Sequence, residues 1–497
     1  MYSESIIIGY PNNIPAAKIR TKINRITENY NVIFINFHNS IIGIGGVGTV
    51  TRSTQKLIPQ LHMVCYDPLI TQISSFDEAT VYPVLLDNKM LINFQLRYAK
   101  QYLWPILHGL APHISRADIK IARTSYIAAS QAFAEKVNKI STNNAKPWIY
   151  WINDYTMAGT VGLVRAIKPK AKICFSLRSP FGQYDLPKLE NKDAILLITS
   201  IIQADFISFQ RTKDLINFLL LAEKVSKHVK DIQVDWKSHT IQYRDHVATP
   251  RVIPLGNDPA YRKNLGMSIK AQRIKSRFIN LANGKKIITS ISRFETHKGI
   301  KEELDAIEQL LKLFPNTKEK FVFIRVAYLA KEYLAIPAYA KLYYFVKKRI
   351  RQINRTYGTS NWKPIIALLD KKFTDYEVTG LLRAANILLV MSLADGFNHS
   401  TVEGALSKQT DDPSLLLLSS DVGSSDYLGD APIKMHPQDR VDSAIKLYSA
   451  LQYKERDIRR REKQLKIAAA RLSSNNWTLS LLEATVNIKN VPEWKES

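Results

Sequence analysis

The chain has 497 residues, 45% of them apolar and 23% charged, which is too long for one ordinary core and normal for a globular protein of two domains. No apolar run approaches the roughly 18 residues of a membrane span, and the start MYSESIIIGYPNNIP lacks the basic region and long apolar core of a signal peptide. A cytoplasmic protein without membrane insertion is expected; its net charge of +26 suits anionic substrates, and two isolated cysteines, Cys65 and Cys174, give no disulfide framework.

Residues 1–265 alternate strand and helix signals. Strands are expected near Ser5–Gly9, Asn31–Phe37, Trp148–Ile152, Lys172–Leu177 and Phe206–Phe209, with helices such as Arg123–Asn138 and Asp214–Val229 between them. VIPLGND at Val252–Asp258 reads as the last strand of this first domain. A second series over residues 280–475 opens with a strand at Ile287–Ile291 and a helix carrying Ile300, Leu304, Ile307, Leu310 and Leu311 at helical spacing. Strands at Phe321–Ala327, Ile365–Leu369, Ile387–Val390 and Leu415–Ser419 follow. Such alternation predicts α/β layers with parallel sheets, and two Rossmann-like domains facing a central cleft make the GT-B arrangement.

The basic clusters Lys347, Lys348, Arg349, Arg351, Arg355 and Arg456, Arg459, Arg460, Arg461, Lys463 accompany apolar positions at helical spacing (Leu342, Val346, Ile350, Ile353; Ile458, Leu465). They read as solvated helix faces, and no groove-reading motif points to nucleic acid.

The chemistry concentrates in MSLADGFNHSTVE at Met391–Glu403 and SISRFETHKG at Ser290–Gly299. Each joins a strand end to a helix start. Arg293 and Lys298 supply cations, Asp395 and Glu403 supply carboxylates, and main-chain amides at a helix start favour phosphate. Together they suggest a nucleotide-sugar site beyond the strand ends. For Asp395 the alternative is a helix N-cap. Gly43, Gly45, Gly46 and Gly48 in GIGGVGT would let backbone approach phosphate or form a plain turn. No histidine or cysteine spacing suggests a metal.

In this order and spacing the motifs resemble the trehalose-6-phosphate synthase family of retaining glycosyltransferases: LWPILHG (Leu103–Gly109), WINDYTMAG (Trp151–Gly159), SLRSPF (Ser176–Phe181), ADFISFQ (Ala204–Gln210), PLGND (Pro254–Asp258), SRFETHKG, DGFN with Glu403, and SSDVGSSDYLG (Ser419–Gly429). Trp477 precedes an expected closing helix within residues 476–497 that crosses back to the first domain. The resemblance implies an acceptor domain at 1–265 and a donor domain at 280–475. It implies catalytic roles for Arg293, Lys298, Asp395 and Asp154, and donor contacts from Gly45, Gly46, Phe373, Gly396, Asn398, His399, Ser400, Thr401, Val402 and Glu403. Acceptor contacts fall on Gln95, Trp104, Asp154, Arg178 and Lys331. Here the chain departs from the family: Gln95 stands for a tyrosine, Arg178 for a histidine, Lys331 for an arginine, and no arginine follows the first strand near Asn39-Ser40.

The expected activity is transfer of a hexosyl group from a nucleotide diphosphate sugar of UDP- or GDP-glucose type to a phosphorylated or anionic sugar or polyol, with no cofactor and no metal requirement. Trehalose-6-phosphate synthesis itself, a pseudo-glycosyltransferase joining a cyclitol to an amino-cyclitol phosphate, and a catalytically silent sugar-phosphate sensor are the alternatives. A homo-oligomer is compatible with the sequence.

Overall fold

The computed structural model describes residues 14–39, 46–142, 146–182 and 189–487. The strand expected at Ser5–Gly9 and the glycines Gly43 and Gly45 lie outside the described residues. Two compact units are present, one built mainly from residues up to Leu255 together with the chain from Ser474 onwards, the other mainly from Gly256–Ser473.

The first unit carries strands β1 (Asn31–His38), β2 (His62–Tyr66), β3 (Ser74–Phe76), β4 (Ala79–Pro83), β5 (Trp148–Asn153), β6 (Lys172–Ser176), β7 (Phe206–Phe209), β8 (Ile232–Asp235), β9 (Thr240–Tyr243) and β10 (His246–Val252). Among the described residues they form one sheet in the order β3-β4-β2-β1-β5-β6-β7-β10-β9-β8. Its centre is parallel, and the antiparallel pairings are β3 on β4, β9 on β10 and β8 on β9. The central strands are buried on both faces, so β1 and β5 read as continuous apolar runs with every residue of Trp148–Asn153 buried. Strand order reverses between β1 and β5, the place where open α/β sheets leave a crevice beyond the carboxyl ends.

The second unit repeats the scheme with β11 (Lys286–Arg293), β12 (Phe321–Tyr328), β13 (Ile365–Leu368), β14 (Ile387–Val390), β15 (Leu415–Ser419) and β16 (Ile433–Met435). Its order is β13-β12-β11-β14-β15-β16, parallel throughout. Successive residues point to opposite faces: Phe321, Phe323 and Ala327 enter one core beside Leu304, Ile307 and Leu310, whereas Val322, Ile324 and Val326 enter another beside Leu381 and Ala385. The reversal here falls between β11 and β14.

Several local readings shift. β10 ends at Val252, so most of VIPLGND is loop, with Asn257 bridging to Ser473. The helix expected to reach Val229 is Thr212–Ser226. Trp477 lies inside the helix Ser474–Val486, not before it, and that helix packs on β6 and on the helix Ala16–Asn29. Among the described residues no helix is long and apolar enough to cross a membrane.

Candidate functional site

In the second unit the loops leaving β11 and β14 meet. β11 ends on Arg293, one 3-10 turn follows at Thr296–Lys298, and Gly299 then opens the helix Ile300–Leu313. Gly299 has φ +67°, and a Cβ there would lie 1.8 Å from the carbonyl oxygen of Met391, just past β14. Only glycine allows this backbone conformation and this approach without strain. Leu393 N–H donates to the His297 carbonyl at 2.8 Å, lacing the two loops. Behind them, Glu303 in the first turn of the helix is buried against Arg325 on β12, Oε2 to Nε 2.6 Å, and accepts from Ser290 Oγ at 2.6 Å. Burial pushes the Glu303 carboxyl up to about 7, against the opposing pull of Arg325. The pair anchors the start of that helix, and with it Lys298.

Lys298 Nζ reaches Asp395 Oδ2 at 2.5 Å with both side chains largely shielded from solvent. Asn398 Nδ2 donates to the same oxygen at 3.0 Å. Asp395 is therefore not the helix N-cap. That position falls to Asn398, which has φ +67° and makes no side-chain cap bond to the helix His399–Ser407. Instead the Asn398 Oδ1 accepts from Ser400 Oγ at 2.6 Å, and Thr401 Oγ1 turns inward to Ser424 Oγ at 2.9 Å. The first N–H groups of an α-helix have no acceptor within it, so the uncapped start at His399, Ser400 and Thr401 presents donors and a positive dipole end to an anion. Gly396 is buried, and Val402 packs in the core.

Glu403, one turn on, is buried. Its Oε1 accepts from Asn257 Nδ2 at 3.2 Å and pairs with Arg262, itself 1% exposed. Among the described residues no hydrogen bond is made by Oε2. Phe373, half-buried, stacks on Phe278 at 6.3 Å between ring centres. Arg293 has its guanidinium 3.3 Å from Glu295 and its side chain 61% exposed. Lys331 opens the short helix Lys331–Ala335 after β12 and is exposed.

In the first unit the other expected residues gather at the carboxyl ends of β1, β5 and β6. Asp154 follows β5 with φ +65°, a backbone conformation that is uncommon for a non-glycine residue. Its Oδ1 accepts from Tyr155 N–H (3.0 Å), Ser179 N–H (3.3 Å) and Ser179 Oγ (2.9 Å). Arg178 follows β6 and donates from Nε to Asn153 Oδ1 at 3.1 Å. Burial drives its guanidinium down to about 10, while Asp154 acts the other way. Trp104 packs on Tyr155 at 5.4 Å and under Lys100 at 4.2 Å. Gln95 Nε2 meets His38 Nε2 at 3.1 Å. Gly46 begins the helix Gly46–Leu57.

Lys298 with Asp395, Arg293, and the helix start with Glu403 thus share the switch point of the second unit. Asp154, Arg178, Trp104 and Gln95 share that of the first. Sequence reasoning missed Asn257 and Arg262, which hold Glu403, and Asn153, which holds Arg178. Asn257 lies within the PLGND motif, which by itself assigns it no role; Arg262 carries no signal, because its partner is 141 positions away.

The model of glycosyltransferase family 20 matches residues 57–487. The chain is 25% identical over 405 residues to alpha,alpha-trehalose-phosphate synthase [UDP-forming] A of Dictyostelium discoideum, covering 81% of this chain and 52% of that protein. It is 26% identical over 420 residues to glucosylglycerol-phosphate synthase of Picosynechococcus sp., covering 81% of each. Of the first curated relatives it matches, the chain spans about half the length. The solved alpha,alpha-trehalose-phosphate synthase (UDP-forming) of Burkholderia xenovorans, in complex with glucose-6-phosphate, superposes with a TM-score of 0.79 at 19% identity, over 90% of this chain and 98% of that one. That likeness gives the fold, GT-B. With a family model matched from residue 57 to residue 487, the chain belongs to glycosyltransferase family 20.

Proposed function

We propose that the protein is a retaining glycosyltransferase that moves a hexosyl group from a nucleotide diphosphate sugar of UDP- or GDP-glucose type to a phosphorylated or anionic sugar or polyol. The observation that carries this reading is the Lys298–Asp395 pair beside an uncapped helix start, with Glu403 pinned by Arg262 one turn further on. Names among the relatives, trehalose-phosphate synthase and glucosylglycerol-phosphate synthase, support a phosphorylated acceptor and leave its carbon skeleton open.

In this reading the helix start at His399–Val402 and the cations Lys298 and Arg293 take the diphosphate. Asp395 holds donor-sugar hydroxyls, Glu403 Oε2 accepts from the ribose, and Phe373 lies beside the base. Asp154 takes an acceptor hydroxyl, and Lys331 meets acceptor phosphate as a point charge without the fork an arginine would offer. The acceptor hydroxyl attacks the anomeric carbon from the face the diphosphate leaves. The carbon–oxygen bond to phosphate breaks, the new glycosidic bond forms, and the proton passes to the leaving phosphate oxygen. No protein nucleophile is required; the protein supplies positioning and charge stabilisation. A cytoplasmic location, where nucleotide sugars are made, accompanies this reading.

The test is a thermal-shift screen of UDP-, GDP- and ADP-sugars followed by mass spectrometry of products on a panel of sugar and polyol phosphates, with the anomeric configuration read by NMR. Binding of a nucleotide sugar and a product with retained configuration are expected. Absence of nucleotide-sugar binding would overturn the reading, and an inverted product would overturn its stereochemistry.

A further inference from the structure

Among the described residues, the buried donors of the first unit that find no acceptor include Asn153 Nδ2, Arg178 Nη1 and Trp477 Nε1. They belong to one cluster. Trp151 Nε1 donates to Ser176 Oγ at 2.9 Å, Ser176 Oγ donates to Asn153 Oδ1 at 2.6 Å, and Arg178 Nε donates to the same oxygen at 3.1 Å. Two donors on that oxygen fix the amide orientation, so the Asn153 NH2 group is turned away from them. The Arg178 guanidinium carbon lies 6.0 Å from the Trp477 ring centre, and Trp477 packs on Trp151 at 5.2 Å. Asn153 is 0% and Trp477 1% exposed.

Buried donors are nearly always satisfied in folded proteins, and an orphaned one is unfavourable. Three such donors in one cluster, one of them a guanidinium, are complementary to a ligand atom set that only accepts. An oxyanion fits: Arg offers a charge-assisted bond, while the amide and indole add neutral donors. Next in the chain, Asp154 has its Oδ1 occupied by three local donors, and among the described residues no hydrogen bond is made by its Oδ2. It can accept from a hydroxyl. Consecutive residues at one strand end would then read a hydroxyl and an oxyanion of one molecule.

We propose that Arg178, Asn153 and Trp477 form an oxyanion subsite that recognises a phosphate or carboxylate on a hydroxylated substrate held by Asp154. Calling the ligand a substrate rests on the glycosyltransferase reading; the anion binding itself does not.

Isothermal titration of the full chain with glucose 6-phosphate, glucuronate, inorganic phosphate and neutral glucose separates the cases. At least one oxyanion should bind more tightly than glucose, and Arg178→Gln should weaken it about tenfold or more, since it removes a charge-assisted bond. A preference for glucose 6-phosphate or for glucuronate tells phosphate from carboxylate. Should Arg178→Gln fail to fold, crystals of the unmodified protein soaked in tungstate decide: density within hydrogen-bonding distance of Arg178 Nη1 and Asn153 Nδ2 supports the subsite. Equal binding of glucose and the anions, unchanged affinity in a folded Arg178→Gln, or a water at that place in the soaked crystal overturns it. UDP binding, measured in parallel, keeps the two readings apart. Nucleotide binding without anion binding sinks only the subsite, whereas anion binding without any nucleotide-sugar binding sinks only the glycosyltransferase assignment.

Discussion

At the scale of single residues, Lys298 and Glu403 differ in what their loss should do. Lys298 Nζ sits 2.5 Å from Asp395, where it would meet charge growing on a departing diphosphate. Lys298→Ala should lower turnover about a hundredfold or more, the usual cost of one such group being ~3 kcal/mol; steady-state rates within threefold of the unmodified protein would contradict the role. Glu403 is held by Arg262 and Asn257, so its truncation does two things. Glu403→Ala strands a buried arginine and should cost about 3–5 kcal/mol of stability, which urea melts would register. Glu403→Gln keeps an acceptor oxygen and reports more directly on the ligand. Ribose contacts act alike in ground and transition states, so its signature is a raised donor KM with little change in kcat. An unchanged KM with collapsed kcat would remove Glu403 from the ribose.

Among elements, the proposed donor site of the second unit depends on two loops approaching closely. Gly299 is the hinge of that approach, with φ +67° and its Cα facing the Met391 carbonyl. Gly299→Ala places a methyl where that oxygen lies and forces an unfavourable left-handed backbone on a residue with a side chain. The change should cost about 2 kcal/mol or more and move Lys298 away from Asp395, lowering kcat together with stability. A variant with unaltered melting temperature and rate would show that the loops separate without consequence. The Glu303–Arg325 pair backs the same geometry from beneath, joining the first turn of one helix to β12.

For the molecule as a whole, a net charge of +26 should draw anionic substrates through a long-range field that salt screens. Raising ionic strength from 0.1 to 1 M shortens the screening length from about 10 to 3 Å. Donor kcat/KM should therefore fall several-fold over that range while kcat changes little, because bound charges inside a site are screened far less. A salt-independent kcat/KM would show that the charge serves something else. The basic helix Pro337–Tyr357 spends part of its charge locally, Arg349 pairing with Glu308 and Asp305, whereas Lys348 and Arg351 are exposed.

Much of this was legible in the chain itself. The strands Phe206–Phe209, Ile387–Val390 and Leu415–Ser419 stand where short apolar runs between turn signals put them, since a strand covered on both faces has no polar side to blur the pattern. Lys298, Asp395 and Glu403 can be singled out as candidates from the sequence because they lie within a few residues of a strand end or helix start, where local sequence dictates backbone geometry. The antiparallel β3 and the β8–β9 hairpin were not foreseen, being short and half exposed with weak alternation. Tertiary structure alone decided who faces whom: Arg262 meets Glu403 across 141 positions, and Trp477 reaches Arg178 because the helix Ser474–Val486 packs on β6. Periodicity reports which face of an element is buried; it carries no information on which distant side chain shares that burial, and buried donors left without partners become visible only once every neighbour has been placed.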